Sequence, residues 1–293
     1  MPAAGRRARQ RPTPTPRVSF PPYPSTGLAL NDLLASLLLG IIEGVTEFLP
    51  ISSTGHLLIA QHWLGARSDL FNIVIQAGAI LAITLVYRQR LWSLATGLGQ
   101  VEHRTYALKI AAAFAVTAVV GLPVRLLGWE LPETVTPVAW ALIIGGVWML
   151  AAERYADGRP ASSDITWTIV VAVGLAQVVA GVFPGTSRSA AAIFIAMLLG
   201  LTRKPAAAEF VFLVGIPTMF AASAYALLET YLHGGAGSED WAGMAVAFTA
   251  ATATGFLAVR WLLGYIATHR FAPFAWYRIG LGVALLLGLP AGS

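Results

Sequence analysis

The chain has 293 residues, of which 57% are hydrophobic and 11% charged, with no cysteine and a formal net charge of +5. Soluble domains carry about a quarter charged residues, so this composition excludes an ordinary soluble protein. The missing cysteines exclude disulfides, thiolate catalysis and Cys-ligated metal.

The positive charge lies at the start. Arg6, Arg7, Arg9, Arg11 and Arg17 supply five positives without an acid, and the remainder balances to zero. Residues 1–27 are rich in Pro and Arg and lack periodicity, which predicts a disordered tail. No small-residue cleavage site follows an apolar core there, so a cleaved signal peptide is not expected. Attraction to anionic lipid, or a cytoplasmic topology signal, explains the basic tail more simply than nucleic acid does.

Residues 28–293 read as one integral membrane domain. Apolar stretches at 71–87, 106–124, 210–228 and 244–267 approach or exceed the roughly 20 residues that cross a bilayer as a helix. They are continuous and rich in Ala, Leu and Gly, unlike the alternating pattern of a membrane barrel. The predicted fold is an all-α polytopic membrane protein. Polar breaks fall at 62–69, 88–92, 99–105, 153–164 and 233–241, each too short for a soluble domain.

Two segments fit a full span poorly. Residues 28–49 and 51–64 are split at Pro50, and residues 166–183 and 188–201 are split around Pro184. Each reads as a re-entrant helix hairpin whose break sits at membrane depth inside protein. Aligning the two prolines places Glu43 over Gln177, Ser52 over Thr186 and Ser53 over Ser187. Matched broken helices point to an inverted-topology repeat with a midplane site.

The polar residues at these breaks carry the chemistry. Glu43 and Glu47 share a helix face one turn apart. Buried together they need a divalent cation, a shared proton or an arginine to compensate them. Oxygen ligands of this kind suit Mg²⁺ or Ca²⁺. After Pro50, Ser52, Ser53, Thr54 and His56 open a helix whose N–H and hydroxyl donors suit phosphate; an ordinary Ser/Thr cap is the alternative. Gly185, Thr186, Ser187 and Ser189 repeat that logic, with Arg188 as a forked cation for phosphate oxygens. Gln76 reads as an interhelical hydrogen-bonding residue, Glu209 as a helix-opening carboxylate, and Tyr277 with Arg278 as an interfacial anchor.

"EGVTEFLPISSTGHLLI" at 43–59 closely resembles the first signature of the bacterial undecaprenyl-diphosphatase (bacitracin-resistance) family, E-G-x-T-E-F-[LI]-P-[VI]-S-S-[ST]-G-H. "PGTSRSAAA" at 184–192 resembles its second, P-G-x-S-R-S-G-[AS]-T, and "IQAGAILA", "AAEFVFLVGIPTM" and "FAPFAWYR" resemble further segments in order. The resemblance covers roughly residues 28–290. It implies a multi-pass enzyme of the bacterial inner membrane that uses a divalent cation to hydrolyse undecaprenyl diphosphate, recycling the lipid carrier and conferring bacitracin resistance. It also implies an inverted-repeat helical fold with two re-entrant hairpins.

By position, the resemblance implies that Glu43 and Glu47 are the essential acidic pair. Ser53 becomes the nucleophile or phosphate-positioning serine, His56 the acid/base and Arg188 the phosphate-binding arginine. Two departures stand out: Ala190 replaces the family's Gly, and Ala192 replaces its Thr, removing a hydroxyl from the second loop. The expected partners are a polyprenyl diphosphate, the bilayer and, as an open state, a second copy in a homodimer; no nucleic acid is expected. The rival reading is a transporter or flippase for polyprenyl phosphates, since paired broken helices also mark transporters.

Overall fold

The computed structural model describes residues 29–128, 134–232 and 240–288; the tail expected over 1–27 lies outside them. Among the described residues all regular structure is helical. The helices are α1 (Ala29–Thr46), α2 (Ser53–Leu64), α3 (Asp69–Val86), α4 (Arg88–Thr96), α5 (Val101–Leu126), α6 (Val135–Asp157), α7 (Trp167–Val182), α8 (Arg188–Leu198), α9 (Lys204–Leu232), α10 (Trp241–Ile266) and α11 (Ala272–Gly288). Helices α3, α5, α6, α9 and α10 are long and apolar enough to cross a bilayer. Their outer faces expose Val119, Ile144 and Leu257, apolar surface of the kind that lipid covers. The chain is a multi-pass membrane protein.

Helix starts follow the local chemistry. Ser68 caps α3 by accepting from the Phe71 N–H at 3.1 Å, and Asp240 caps α10 by accepting from Gly243 at 2.9 Å. The segments read as polar breaks at 88–92 and 99–105 are instead α4 and the first turns of α5. Arg90 is tolerated there because Glu209 accepts from it at 2.9 Å and also from the Tyr106 hydroxyl at 3.2 Å. Glu209 lies inside α9 and ties α4 and α5 to it.

Packing exchanges partners between the two halves. The broken helix α1 lies along α10, and the broken helix α7 lies along α5. Small residues allow the first approach: a Cβ at Gly44 would overlap the Thr254 hydroxyl and the Ala251 carbonyl oxygen. The second is sealed by Thr117, whose hydroxyl donates to the Gly174 carbonyl at 3.0 Å. Gly44→Leu therefore wedges α1 off α10, and an overpacked core contact costs about 1–3 kcal/mol. The expected result is a lower thermal unfolding midpoint in detergent; an unchanged midpoint would contradict this packing.

The main apolar core sits beneath the two breaks. Phe48 meets Phe212 edge-on at 5.6 Å, and Phe194 meets Phe271 at 5.0 Å. Farther along, buried Glu153 accepts from the Lys204 ammonium at 2.6 Å and from the Phe271 backbone N–H at 2.7 Å. These contacts tie α6 to α9 and to the approach to α11.

Candidate active site

Both breaks are built by the same device. After α1 one more helical bond, from the Glu47 N–H to the Glu43 carbonyl at 2.9 Å, holds Glu47 one turn along from Glu43. Pro50 lacks an N–H and disfavours helix in the residue before it, so the chain turns at Leu49. It re-enters helix through Ser52, at φ 72° and ψ 103°, whose hydroxyl accepts from the Gly55 N–H at 3.4 Å. In the second break Ser187, at φ 69° and ψ 113°, accepts from the Ala190 N–H at 3.3 Å.

Among the described residues, these two serines alone are non-glycine residues at positive φ. Such conformations cost of order 1–3 kcal/mol each and gather at functional sites. Ser52 therefore corresponds to Ser187, and Ser53 to Arg188, one position away from the register obtained by aligning the prolines. Gly185, at φ 91°, occupies the extra place in the second turn.

The breaks meet through side chains. The Arg188 guanidinium donates to one oxygen of Glu47 at 3.0 Å, and the Ser53 hydroxyl donates to the other at 2.6 Å. Glu47 is 7% exposed, and removal from water strengthens both contacts. Ser189 donates to the Leu49 carbonyl at 3.3 Å and lies 3.0 Å from the Ser187 hydroxyl. A polar chamber of about 190 Å³ opens above them, lined by Glu47, Ser52, Ser53, Thr54, Gln76, Gly185, Ser187 and Arg188 among others.

The remaining expected residues do not line this chamber. Glu43 is buried one turn from Glu47. Thr186 contributes its carbonyl to a different network, and Ser189 joins the two breaks through the Leu49 carbonyl. His56 turns elsewhere: Nδ1 is 2.7 Å from the Ser52 carbonyl and Nε2 is 2.8 Å from the Tyr277 hydroxyl. A carbonyl only accepts, so Nδ1 carries the proton, and in the neutral ring Nε2 accepts from Tyr277. The carboxylate in contact with Ser53 is that of Glu47. Ala190 and Ala192 are packed into the apolar core, so position 192 does not line the chamber and its missing hydroxyl is not a chamber donor.

Arg278 departs most from its expected place. It is fully buried in α11, not an interfacial anchor, although neighbouring Tyr277 is half exposed. One guanidinium nitrogen donates to the Pro50 carbonyl at 3.4 Å. The other reaches the carbonyls of Gly185 and Thr186, both at 3.0 Å, and of Ala141 at 3.2 Å. Arg278 thus holds both breaks with one planar fork. Gly145 makes room for it, since a Cβ there would overlap the guanidinium. The sequence did contain a signal: an arginine inside an apolar run long enough to be buried is by default functional.

Comparison with known proteins adds to this geometry. The family model described as "Bacitracin resistance protein BacA" matches residues 36–284. An "Undecaprenyl-diphosphatase" of Xanthomonas axonopodis pv. citri (strain 306) is 70% identical over 264 residues, covering 90% of this chain and 100% of the relative. One of Xanthomonas campestris pv. campestris (strain 8004) is 70% identical over 262 residues, covering 89% and 100%. One of Xylella fastidiosa (strain 9a5c) is 64% identical over 258 residues, covering 88% and 99%.

Proposed function

The chain belongs to the bacitracin resistance protein BacA family, and on that premise we propose that it hydrolyses undecaprenyl diphosphate to undecaprenyl phosphate and phosphate. The reaction returns the lipid carrier to cell-wall synthesis and supports bacitracin resistance. Its setting is the bacterial inner membrane, with the two broken helices as re-entrant halves of an inverted repeat. The reciprocal packing of α1 on α10 and α7 on α5 supports that repeat.

One observation carries the reading: Glu47 grips the Ser53 hydroxyl with one oxygen and Arg188 with the other. A nucleophile touching its base, beside a phosphate-gripping cation, is the arrangement that phosphoryl transfer needs. Ser53 Oγ attacks the terminal phosphorus while its proton passes to Glu47. The Oγ–phosphorus bond forms, the bond from phosphorus to the bridging oxygen breaks, and undecaprenyl phosphate departs with that proton. Glu47 then takes a proton from water as the water attacks the phosphoserine. Phosphate leaves, and the proton returns to Ser53. Arg188 stabilises the equatorial oxygens throughout.

Glu43 and Glu47 are the residues that would hold a divalent cation, Mg²⁺ or Ca²⁺. Among the described residues no group of three or more His, Cys, Asp or Glu forms a metal cage. Two carboxylates fit an ion whose shell is completed by substrate phosphate and water, as is usual for Mg²⁺. Bound there, the ion would act as a Lewis acid on phosphoryl oxygens.

The test is phosphate release from undecaprenyl diphosphate by purified protein in detergent, where vectorial transport is impossible. Release that stops with a chelator, and that falls at least about 100-fold in Glu43→Ala, is expected. No release would return the reading to a carrier of polyprenyl phosphates, and release unaffected by chelator and by Glu43→Ala would remove the metal and Glu43 from the reaction.

A further inference from the structure

Glu47 and Arg188 belong to two cavities. One is the hydroxyl-lined chamber. The other is narrow, about 30 Å³, and its walls are chiefly Phe48, Ile83, Val211, Phe212 and Met219. A single amide enters this apolar wall. Gln177 of α7 is 5% exposed, and its side-chain nitrogen is buried without a hydrogen-bond partner among the described residues. Buried donors in native structures are almost always paired, so one aimed into a cavity points to a partner from outside the chain.

An amphiphilic diphosphate, the substrate under the function proposed above on which this inference rests, must distribute itself between two such cavities. Its terminal phosphate has hydroxyls and Arg188 on the chamber side; its first isoprene unit has only the apolar cavity. The phosphate joined to the lipid then lies between them, beside Arg188. We propose that Gln177 is a substrate-binding residue, donating its amide N–H to the lipid-linked phosphate while the first isoprene unit seats against Ile83, Val211, Phe212 and Met219.

This assignment fixes the direction of the substrate. The terminal phosphorus faces Ser53, and the leaving undecaprenyl phosphate is held by Gln177 on the apolar side. Seating the isoprene requires the cavity to widen. Met219 is an unbranched, adaptable side chain, and Gly215 beside it has open space where a side chain would project.

Direct binding separates this proposal from the hydrolysis. Titrations of the full chain in detergent would use farnesyl phosphate, which carries a lipid-linked phosphate, and inorganic phosphate, which needs only the chamber. Gln177→Leu removes the donor at similar size. Gly215→Leu fills the apolar cavity from an uncrowded helix position, which keeps the test valid if Gln177→Leu does not fold. Each variant is expected to weaken farnesyl phosphate roughly 10-fold while leaving phosphate within about twofold. Equal weakening of both ligands, or no change for farnesyl phosphate, would overturn the assignment. A wild-type protein that binds selectively but releases no phosphate from undecaprenyl diphosphate would refute the reaction and support the pocket.

Discussion

Arg278→Met is expected to unfold at lower temperature and to lose at least about 100-fold in hydrolysis, although no atom of Arg278 lines the chamber. Its four carbonyl partners, on Pro50, Ala141, Gly185 and Thr186, would lose buried donors. Each unmet group costs about 1–3 kcal/mol. The catalytic loss comes from geometry: once the breaks drift, Arg188 and Ser53 no longer bear on the same Glu47, and misplacement by about 1 Å costs on the order of 100-fold.

Arg278→Lys is the informative companion. It keeps the charge but concentrates its donors at one point, where the native residue spreads a planar fork across two loops. Partial recovery of thermal stability with little recovery of turnover is expected. Turnover within about tenfold of wild type in both variants would show that the breaks hold their alignment without this fork.

Glu47→Gln is expected to reduce kcat by roughly 10²–10⁴, the range attributed to a positioned general base. The substitution preserves size and can still hydrogen-bond to Ser53. It removes the negative charge that pairs with Arg188 and that, in the proposed reaction, receives the Ser53 proton. Ser53→Ala should fall as far, and a phosphoserine at 53 should be trappable in wild type by rapid quenching. Substantial turnover by Ser53→Ala would transfer the attack to water activated by Glu47, with Ser53 left to position phosphate.

The sequence exposed the parts of the site whose polarity contrasts with their apolar surroundings. Glu47, Ser53 and Arg188 are visible in this way, and the structure brings all three into contact. Contacts with distant main-chain groups leave no such trace. Arg278 reads as an anchor because its partners are carbonyls 92 to 228 residues away. His56 reads as a member of the polar run that opens α2, yet its ring is held between the Ser52 carbonyl and Tyr277, the latter 221 residues later.

Turn geometry hid the rest. Pro50 and Pro184 look equivalent, but Gly185 adds a residue at positive φ and moves the strained serine from the second to the third position after proline. That single step places Arg188 opposite Ser53. Helix α4 was obscured for a related reason. Arg88 and Arg90 look like a polar break until Glu209, 119 residues beyond Arg90, supplies its counter-charge.

A double-mutant cycle on turnover of undecaprenyl diphosphate tests most directly whether the two breaks act as one catalytic unit through Glu47 and Arg188. Residues that act as a unit are strongly non-additive. Glu47→Gln and Arg188→Met should each be severely impaired, and the double variant should be no more than about threefold slower than the slower single variant. Losses that multiply in the double variant would mean that the two breaks contribute independently, contrary to this account.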